Sequence, residues 1–376
     1  MAKFYNPVKL YFENSGMVQL KEDLKDINAE NILIITWNKA LFATDSILLN
    51  LLPPQVYKKI IAFDQSNPDM EDILAMSEEI KDFSFDFILA VGGGSVIDIS
   101  KSLVALKHQE FETIEQLRDI IVNGKYEIGL EEIPMLAIPT TSGTGSEVTP
   151  WGTIWDREFN KKYSISSSKL FPAYALILPE LTMKLPLRST ISTGLDALCH
   201  ATEAYWSMHS NPISRSYSLQ AIAMILQQLE RNDFALDNYE IRKQLAMGSV
   251  LAGLSFSNTR TTACHSISYP LTLHYNIDHG IAVSMTLGKM FEHNQQRIID
   301  LPSLLSAFQV EDVKDVEKRI IEIYKKYDIP FRLMDYQVKR SDLSIIASQS
   351  FTKGRMDNNP VDLTEHDIEQ LLNSII

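Results

Sequence analysis

The run Phe85-Asp86-Phe87-Ile88-Leu89-Ala90-Val91 ends directly on Gly92-Gly93-Gly94-Ser95, and Val96 to Lys107 then has helical spacing. So short an apolar segment reads as a strand buried on both faces, which confines it to a parallel sheet covered by helices. Glycines between a strand and a helix let the backbone approach a phosphate while the unpaired N–H groups at the helix start face its charge. The triplet has neither the G-x-G-x-x-G spacing nor a Walker A pattern, and taken alone it also suits a plain tight turn.

The same alternation precedes it. Asn31 to Thr36 is a second doubly buried strand, Lys39 to Leu52 a helix closed by Pro53-Pro54, Lys58 to Phe63 a strand, and Met70 to Lys81 a covering helix. This order predicts a doubly wound α/β domain that binds ligands at the carboxyl ends of its strands. A further strand, Met135 to Ile138, leads into Pro139-Thr140-Thr141-Ser142-Gly143-Thr144-Gly145-Ser146-Glu147, a pliable loop rich in hydroxyls. Two loops suited to phosphate and polyol favour a dinucleotide over a lone phosphate. Beyond Pro186 the pattern changes to long helices at Ser214–Glu230, Tyr239–Leu254, Val313–Tyr327 and Glu365–Ile376. The expected organisation is an α/β domain over residues 1–183 and an all-α domain over residues 184–376, with Pro179 and Pro186 marking the boundary.

Within the helical half, Gly194-Leu195-Asp196-Ala197-Leu198-Cys199-His200 lies in a segment, Ile191 to Tyr205, that suits a helix. Asp196 and His200 then share one face, where they form either a surface hydrogen-bonded pair or two ligands of one cation. His265 and His279 are further candidates, and Gly280 suggests a tight backbone position at a helix entrance that aims His279 inward. One carboxylate with three imidazoles suits Fe²⁺, Zn²⁺, Ni²⁺ or Co²⁺ rather than Mg²⁺ or Ca²⁺.

The balance of 48 Asp and Glu against 35 Lys and Arg, a formal charge of -13, argues against general affinity for nucleic acid or anionic membranes. Any anionic substrate would need a local cationic pocket. Cys199 and Cys264 are too few for a disulfide framework, no apolar run is long enough for a membrane span, and Met1 to Leu10 lacks a signal-peptide core. A cytoplasmic enzyme acting on a small molecule is the expectation.

Taken together, these stretches resemble the iron-containing (group III) alcohol dehydrogenase family over most of the chain. The likeness rests on Gly92 to Ser95 with Asp98 and Lys101, the Pro139 to Glu147 loop with Val148-Thr149, Pro179-Glu180-Leu181, Gly194 to His200, and the pair His265 and His279. It implies a two-domain NAD(P)-dependent oxidoreductase with one metal, iron first and zinc next, in the cleft between the domains. The family's ligands fall on Asp196, His200, His265 and His279, its pyrophosphate contacts on Gly93, Gly94 and Ser95, and its nucleotide contacts on Thr140, Thr141 and Thr144. Asp98 belongs to the same cofactor motif, and Lys162 matches a lysine near the nicotinamide ribose. The implied chemistry is Lewis-acid polarisation of the substrate oxygen beside a hydride-exchanging nicotinamide, in a homodimer or larger homo-oligomer.

Three positions depart from the common family pattern. Tyr269 stands where many relatives carry a second histidine, a candidate proton relay, so a phenol takes that place as the candidate catalytic group. Ser257-Asn258-Thr259-Arg260-Thr261-Thr262 replaces a stretch rich in Gly and Leu; were it helical, Thr261 would share a face with His265, and Arg260 with Thr261 would suit an anionic substrate. The segment from His265 to Thr272, Trp155-Asp156 with Lys161 to Ser164, and Gly354-Arg355-Met356 with Asn358-Asn359-Pro360 resemble the phosphonoacetaldehyde reductase branch, which implies reduction of phosphonoacetaldehyde to 2-hydroxyethylphosphonate. Alternatives are a lactaldehyde/propanediol or general short-chain alcohol dehydrogenase, a non-redox enzyme related to dehydroquinate synthase, and a filament-forming protein with a vestigial site. Finally, Thr36-Trp37-Asn38-Lys39 places a neutral Asn38 where many members carry an aspartate toward the adenosine ribose. NADPH should therefore be accepted, with a preference for NADH below about a hundredfold, or about 2.7 kcal/mol, in steady-state kcat/KM.

Overall fold

A computed structural model of the chain describes residues 3–27, 29–43, 46–159 and 161–376. Its strands are β1 Lys9–Phe12, β2 Asn31–Thr36, β3 Tyr57–Ala62, β4 Phe87–Gly92, β5 Met135–Pro139, β6 Trp151–Asp156, β7 Lys161–Ser166 and β8 Tyr174–Ile177. Six of them form one parallel sheet in the order β1-β8-β5-β4-β2-β3, while β6 and β7 pair as a separate antiparallel hairpin. Every residue of β4 and β5 is buried, as the unbroken apolar runs require of central strands. The helices of this part are α1 Glu13–Asp23, α2 Met70–Ile80, α3 Gly94–Leu106 and α4 Ile114–Val122. The stretch from Lys39 to Leu52 is not the expected helix. It holds two 3₁₀ turns, Lys39–Phe42 and Leu49–Leu51, while Thr44 and Asp45 lie outside the described residues. The Ser46 hydroxyl bonds Leu41 O and receives Leu48 N–H, and such local side-chain bonds compete with a continuous helical ladder.

The two loops singled out in the sequence leave neighbouring strands. Gly92 at the end of β4 is in register with Pro139 at the end of β5, and Thr140 N–H donates to Gly92 O at 3.0 Å. A Cβ on Gly92 would sit 2.4 Å from Val96 Cγ2, so the turn from β4 into α3 is open only to glycine. Behind it lies Lys101, fully buried, whose Nζ donates to Ser146 O at 2.6 Å, Thr149 O at 2.8 Å and Trp151 O at 3.0 Å. Asp98 accepts from Ser146 Oγ at 2.5 Å and from Thr153 N–H at 3.1 Å. One turn of α3 thus fixes both the loop from Ser146 to Thr149 and the β6–β7 hairpin.

The remaining helices are α5 Leu187–Trp206, α6 Pro212–Leu229, α7 Tyr239–Thr259, α8 Ala263–Tyr275, α9 His279–Asn294, α10 Leu301–Ala307, α11 Val313–Lys326, α12 Leu343–Gln349 and α13 Glu365–Ser374. No strand follows β8 among the described residues. The architecture is a parallel α/β N-terminal part followed by a helical C-terminal part, as expected. Two compact units emerge. One comprises Pro7–Thr141 and Ser146–Thr182; the other comprises Met183–Ile376, Ser142–Gly145 and the residues up to Asn6. The helical core is centred on α5, whose Ile191, Leu195, Leu198 and Ala201 are inaccessible to solvent. Among the described residues no helix is long and apolar enough to cross a membrane.

Glu147, 2% exposed, gives this fold a pH dependence. Burial lifts its carboxyl to about 7, against the opposing pull of its hydrogen-bonded backbone and of Lys101. The folded chain therefore keeps a proton that the unfolded chain sheds near 4.5. The resulting stability is complete below that value and is lost as pH rises through about 7, by up to about 3 kcal/mol. Urea unfolding of wild type and Glu147→Gln at pH 5 and pH 7.5 should show the wild-type loss largely absent from the variant.

Candidate metal centre

Helix α5 is apolar on almost every side, yet Asp196, His200 and Glu203 run along it at i, i+4 and i+7 and are all buried. Charged side chains occupy such a place only with partners. His265 is the first: it comes from the opening turn of α8, and its Nε2 lies 3.4 Å from Asp196 Oδ1. His279, the first residue of α9, is the second. One ligand-type atom from each of Asp196, His265 and His279 falls within 4.8 Å of the others. The approach of α9 depends on Gly280, where a Cβ would stand 1.8 Å from Ser192 O and 3.0 Å from Asp196 Cβ.

Among the predicted ligands, His200 stands beside this trio rather than within it. Its ring lies flat between Phe256, at 4.1 Å and 7°, and His265, at 4.4 Å and 25°. Nδ1 of His200 is 3.2 Å from Gly143 O, a contact that makes Nδ1 the donor and leaves Nε2 with its lone pair. Burial draws the His200 imidazole down to about 4, so it is neutral at pH 7.

Glu203 is the residue that reading the sequence for ligands passes over. Fully buried, it sets one carboxylate oxygen against His265 Nδ1 and with the other accepts from Thr262 Oγ1 at 2.7 Å and Cys264 N–H at 2.7 Å. Its spacing from Asp196 and His200 on one helix was the available signal. Burial opposes charge on both partners; the contact with His265 nevertheless keeps Glu203 below its usual range, and Glu203 with Asp196 lifts His265 to about 9. Burial likewise pushes Asp196 up, but the surrounding imidazoles, His200 foremost, outweigh it and hold the carboxylate well below normal.

These donors fit a divalent cation. Asp196 Oδ1 and His265 Nε2 are buried and have no hydrogen-bond partner, an expensive arrangement unless something positive is shared between them. A carboxylate with imidazoles suits Fe²⁺ or Zn²⁺. Burial raises the neighbouring thiols of Cys199 and Cys264 well above their ordinary range.

The other candidate residues are placed as follows. Tyr269, one turn beyond His265, lies nearly parallel to the His279 ring at 6.0 Å. Arg260 and Thr261 are not on a helical face with His265. Helix α7 stops at Thr259, Arg260 takes φ 59° and ψ 176° while its N–H closes onto Phe256 O, and α8 begins only at Ala263. The helix ends there because three β-branched threonines crowd the segment and the Thr262 hydroxyl turns inward, between Trp206 Nε1 and Glu203. Gly93, Gly94, Thr140 and Thr141 lie at the ends of β4 and β5, while Thr144 falls within the helical unit. Ser95 Oγ receives Asn67 N–H at 3.1 Å, and the Asp98 oxygens are taken by Ser146 and Thr153. Asn38 caps the turn after β2 by accepting Ala40 N–H, and Lys162 Nζ lies 5.0 Å from the Trp155 ring centre.

Glu203→Gln keeps the size of the group but not its charge against His265. A loss of about 10- to 100-fold in metal affinity is expected, read by competition of Fe²⁺ or Zn²⁺ with a chromophoric chelator.

Residues 7–179 match the iron-containing alcohol dehydrogenase description, and residues 190–376 match the C-terminal part of the Fe-containing alcohol dehydrogenase family. The NADPH-dependent butanol dehydrogenase of Clostridium saccharobutylicum is 28% identical over 100% of this chain and 98% of its own length. The phosphonoacetaldehyde reductase of Streptomyces viridochromogenes is 31% identical over 60% of this chain and 57% of its own. The crystal structure of sulfoacetaldehyde reductase from Bifidobacterium kashiwanohense in complex with NAD+ superposes with a TM-score of 0.87 at 27% identity, covering 100% of this chain and 98% of that one. With both halves matched and the whole fold shared, the chain belongs to the iron-containing alcohol dehydrogenase family and is an NAD(P)-dependent alcohol dehydrogenase or aldehyde reductase.

Proposed function

We propose that the protein reduces an anionic two-carbon aldehyde, phosphonoacetaldehyde to 2-hydroxyethylphosphonate, with a nicotinamide cofactor and Fe²⁺ held by Asp196, His200, His265 and His279. The observation that carries the metal-dependent part is the pair of buried atoms Asp196 Oδ1 and His265 Nε2, which face each other at 3.4 Å with no hydrogen bond made by either, beside His279. When bound, the cation supplies Lewis acidity toward the substrate oxygen and the nicotinamide supplies the hydride. Glu203 holds His265 in the tautomer that presents Nε2, and Gly143 O does the same for His200. Phe256 covers one face of His200 and keeps water from it. Tyr269, whose ring lies 6.0 Å from that of His279, is the candidate to pass a proton toward the product oxygen.

Gly93, Gly94 and Ser95 are proposed to receive the pyrophosphate at the start of α3, with Thr140, Thr141 and Thr144 toward the nucleotide, Lys162 toward the nicotinamide ribose and Asn38 toward the adenosine ribose. Asp98, with both oxygens engaged, acts by fixing Ser146 and the hairpin that carries Lys162.

The anionic substrate is supported by the likeness to reductases of phosphonoacetaldehyde and sulfoacetaldehyde. A general short-chain alcohol dehydrogenase is the second reading, favoured by the full-length likeness to a butanol dehydrogenase. Steady-state reduction of phosphonoacetaldehyde, lactaldehyde, propanal and butanal by the metal-loaded protein separates the two. The expected result is a kcat/KM for phosphonoacetaldehyde at least about tenfold above the uncharged aldehydes, about 1.4 kcal/mol; equal values across the panel would leave the general enzyme.

A further inference from the structure

Among the described residues, two arginines are buried with no carboxylate bonded to them, and they differ in one respect. Arg242 spends its donors on Leu236 O, Leu185 O and Thr190 Oγ1. The side chain of Arg355, 9% exposed, makes one hydrogen bond among the described residues, from Nη1 to the carbonyl of its own neighbour Gly354 at 2.7 Å. A guanidinium carries five N–H donors, and those of Arg355 that Gly354 does not engage keep contact with solvent and are open to an acceptor arriving from elsewhere.

Its position shows where such an acceptor would belong. Asn358 Nδ2 donates both to Gly354 O at 2.8 Å and to Thr261 O at 3.1 Å, so the Arg355 guanidinium is linked to Thr261 through two shared groups. At the other end of the segment, the Ser266 hydroxyl bonds Ser350 O and receives Thr352 N–H at 3.0 Å. Residues 350–358 are thereby fastened on both sides of His265. Independently, Thr261 is 4% exposed and its Oγ1 is buried without a hydrogen-bond partner. A guanidinium with donors to spare and a hydroxyl with none of its bonds made belong to two segments that Asn358 ties together where the chain enters α8.

We propose that Arg355, seconded by the Thr261 hydroxyl, receives the anionic end of the substrate whose carbonyl lies at the metal centre. This rests on the anionic-aldehyde reading above and places its recognition in the C-terminal segment rather than on Arg260 alone. A planar fork of donors matches the oxygens of a phosphonate, sulfonate or carboxylate, and a chain of net charge -13 needs such a local cation to attract one.

The test reads the ratio of kcat/KM for phosphonoacetaldehyde to that for propanal, a quantity insensitive to the fraction of enzyme that folds. In Arg355→Gln the ratio is expected to fall at least about 30-fold, mostly through KM for the charged substrate. Arg355→Lys should recover part of the loss, and Thr261→Val should show a smaller fall. A ratio in Arg355→Gln within about threefold of wild type overturns the assignment whatever Arg260→Gln does, and leaves the anionic-aldehyde reading intact. A wild-type ratio near one removes that reading, and the assignment with it.

Discussion

An imidazole held between two buried carboxylates is the interaction on which the centre of this protein depends. His265 faces Glu203 with one ring nitrogen and Asp196 with the other, and both acids stand on the same helix, α5. Neither acid could be buried there alone, and the histidine could not keep its orientation without them. The consequence reaches past the site. Glu203 also holds Thr262 and the first N–H groups of α8, so the carboxylate that orients the candidate ligand also starts the helix carrying it.

The same economy appears in the α/β half. Asp98 and Lys101, less than one turn apart on α3, tie the segment from Ser146 to Thr149 and the hairpin to the helix that starts at the glycines. A cofactor held at that helix start, as proposed, would meet a segment and a hairpin already fixed in place and would have little left to order.

Much of this was legible in the sequence because the signals were local. The unbroken apolar runs at Asn31 to Thr36 and Met135 to Ile138 could only be central strands, and Gly280 after His279 announced the close helix entrance that the Ser192 carbonyl requires. Where the reading failed, the deciding interactions were distant ones. The stretch from Lys39 to Leu52 has helical composition but is broken by its own serine hydroxyl. Whether the approach to His265 is helical stays open in the sequence, because nothing nearby shows that Thr262 is drawn to Glu203, 59 residues away. Glu203 itself was visible by spacing, but a search for ligands looks for side chains that touch the cation, not for those that touch a ligand. Arg355 stood in the sequence only as part of the stretch Gly354-Arg355-Met356 that resembles the phosphonoacetaldehyde reductase branch; the fold adds its link, through Asn358, to Thr261.

The contact at Gly280 bears on the spacing of the donors. Because the backbone of α9 meets the Ser192 carbonyl with no side chain between them, the approach of His279 to Asp196 is set by two rigid chains rather than by packing that can give. A side chain at that one position would hold the two helices apart, so the centre is gathered by a missing methyl group as much as by the donors themselves.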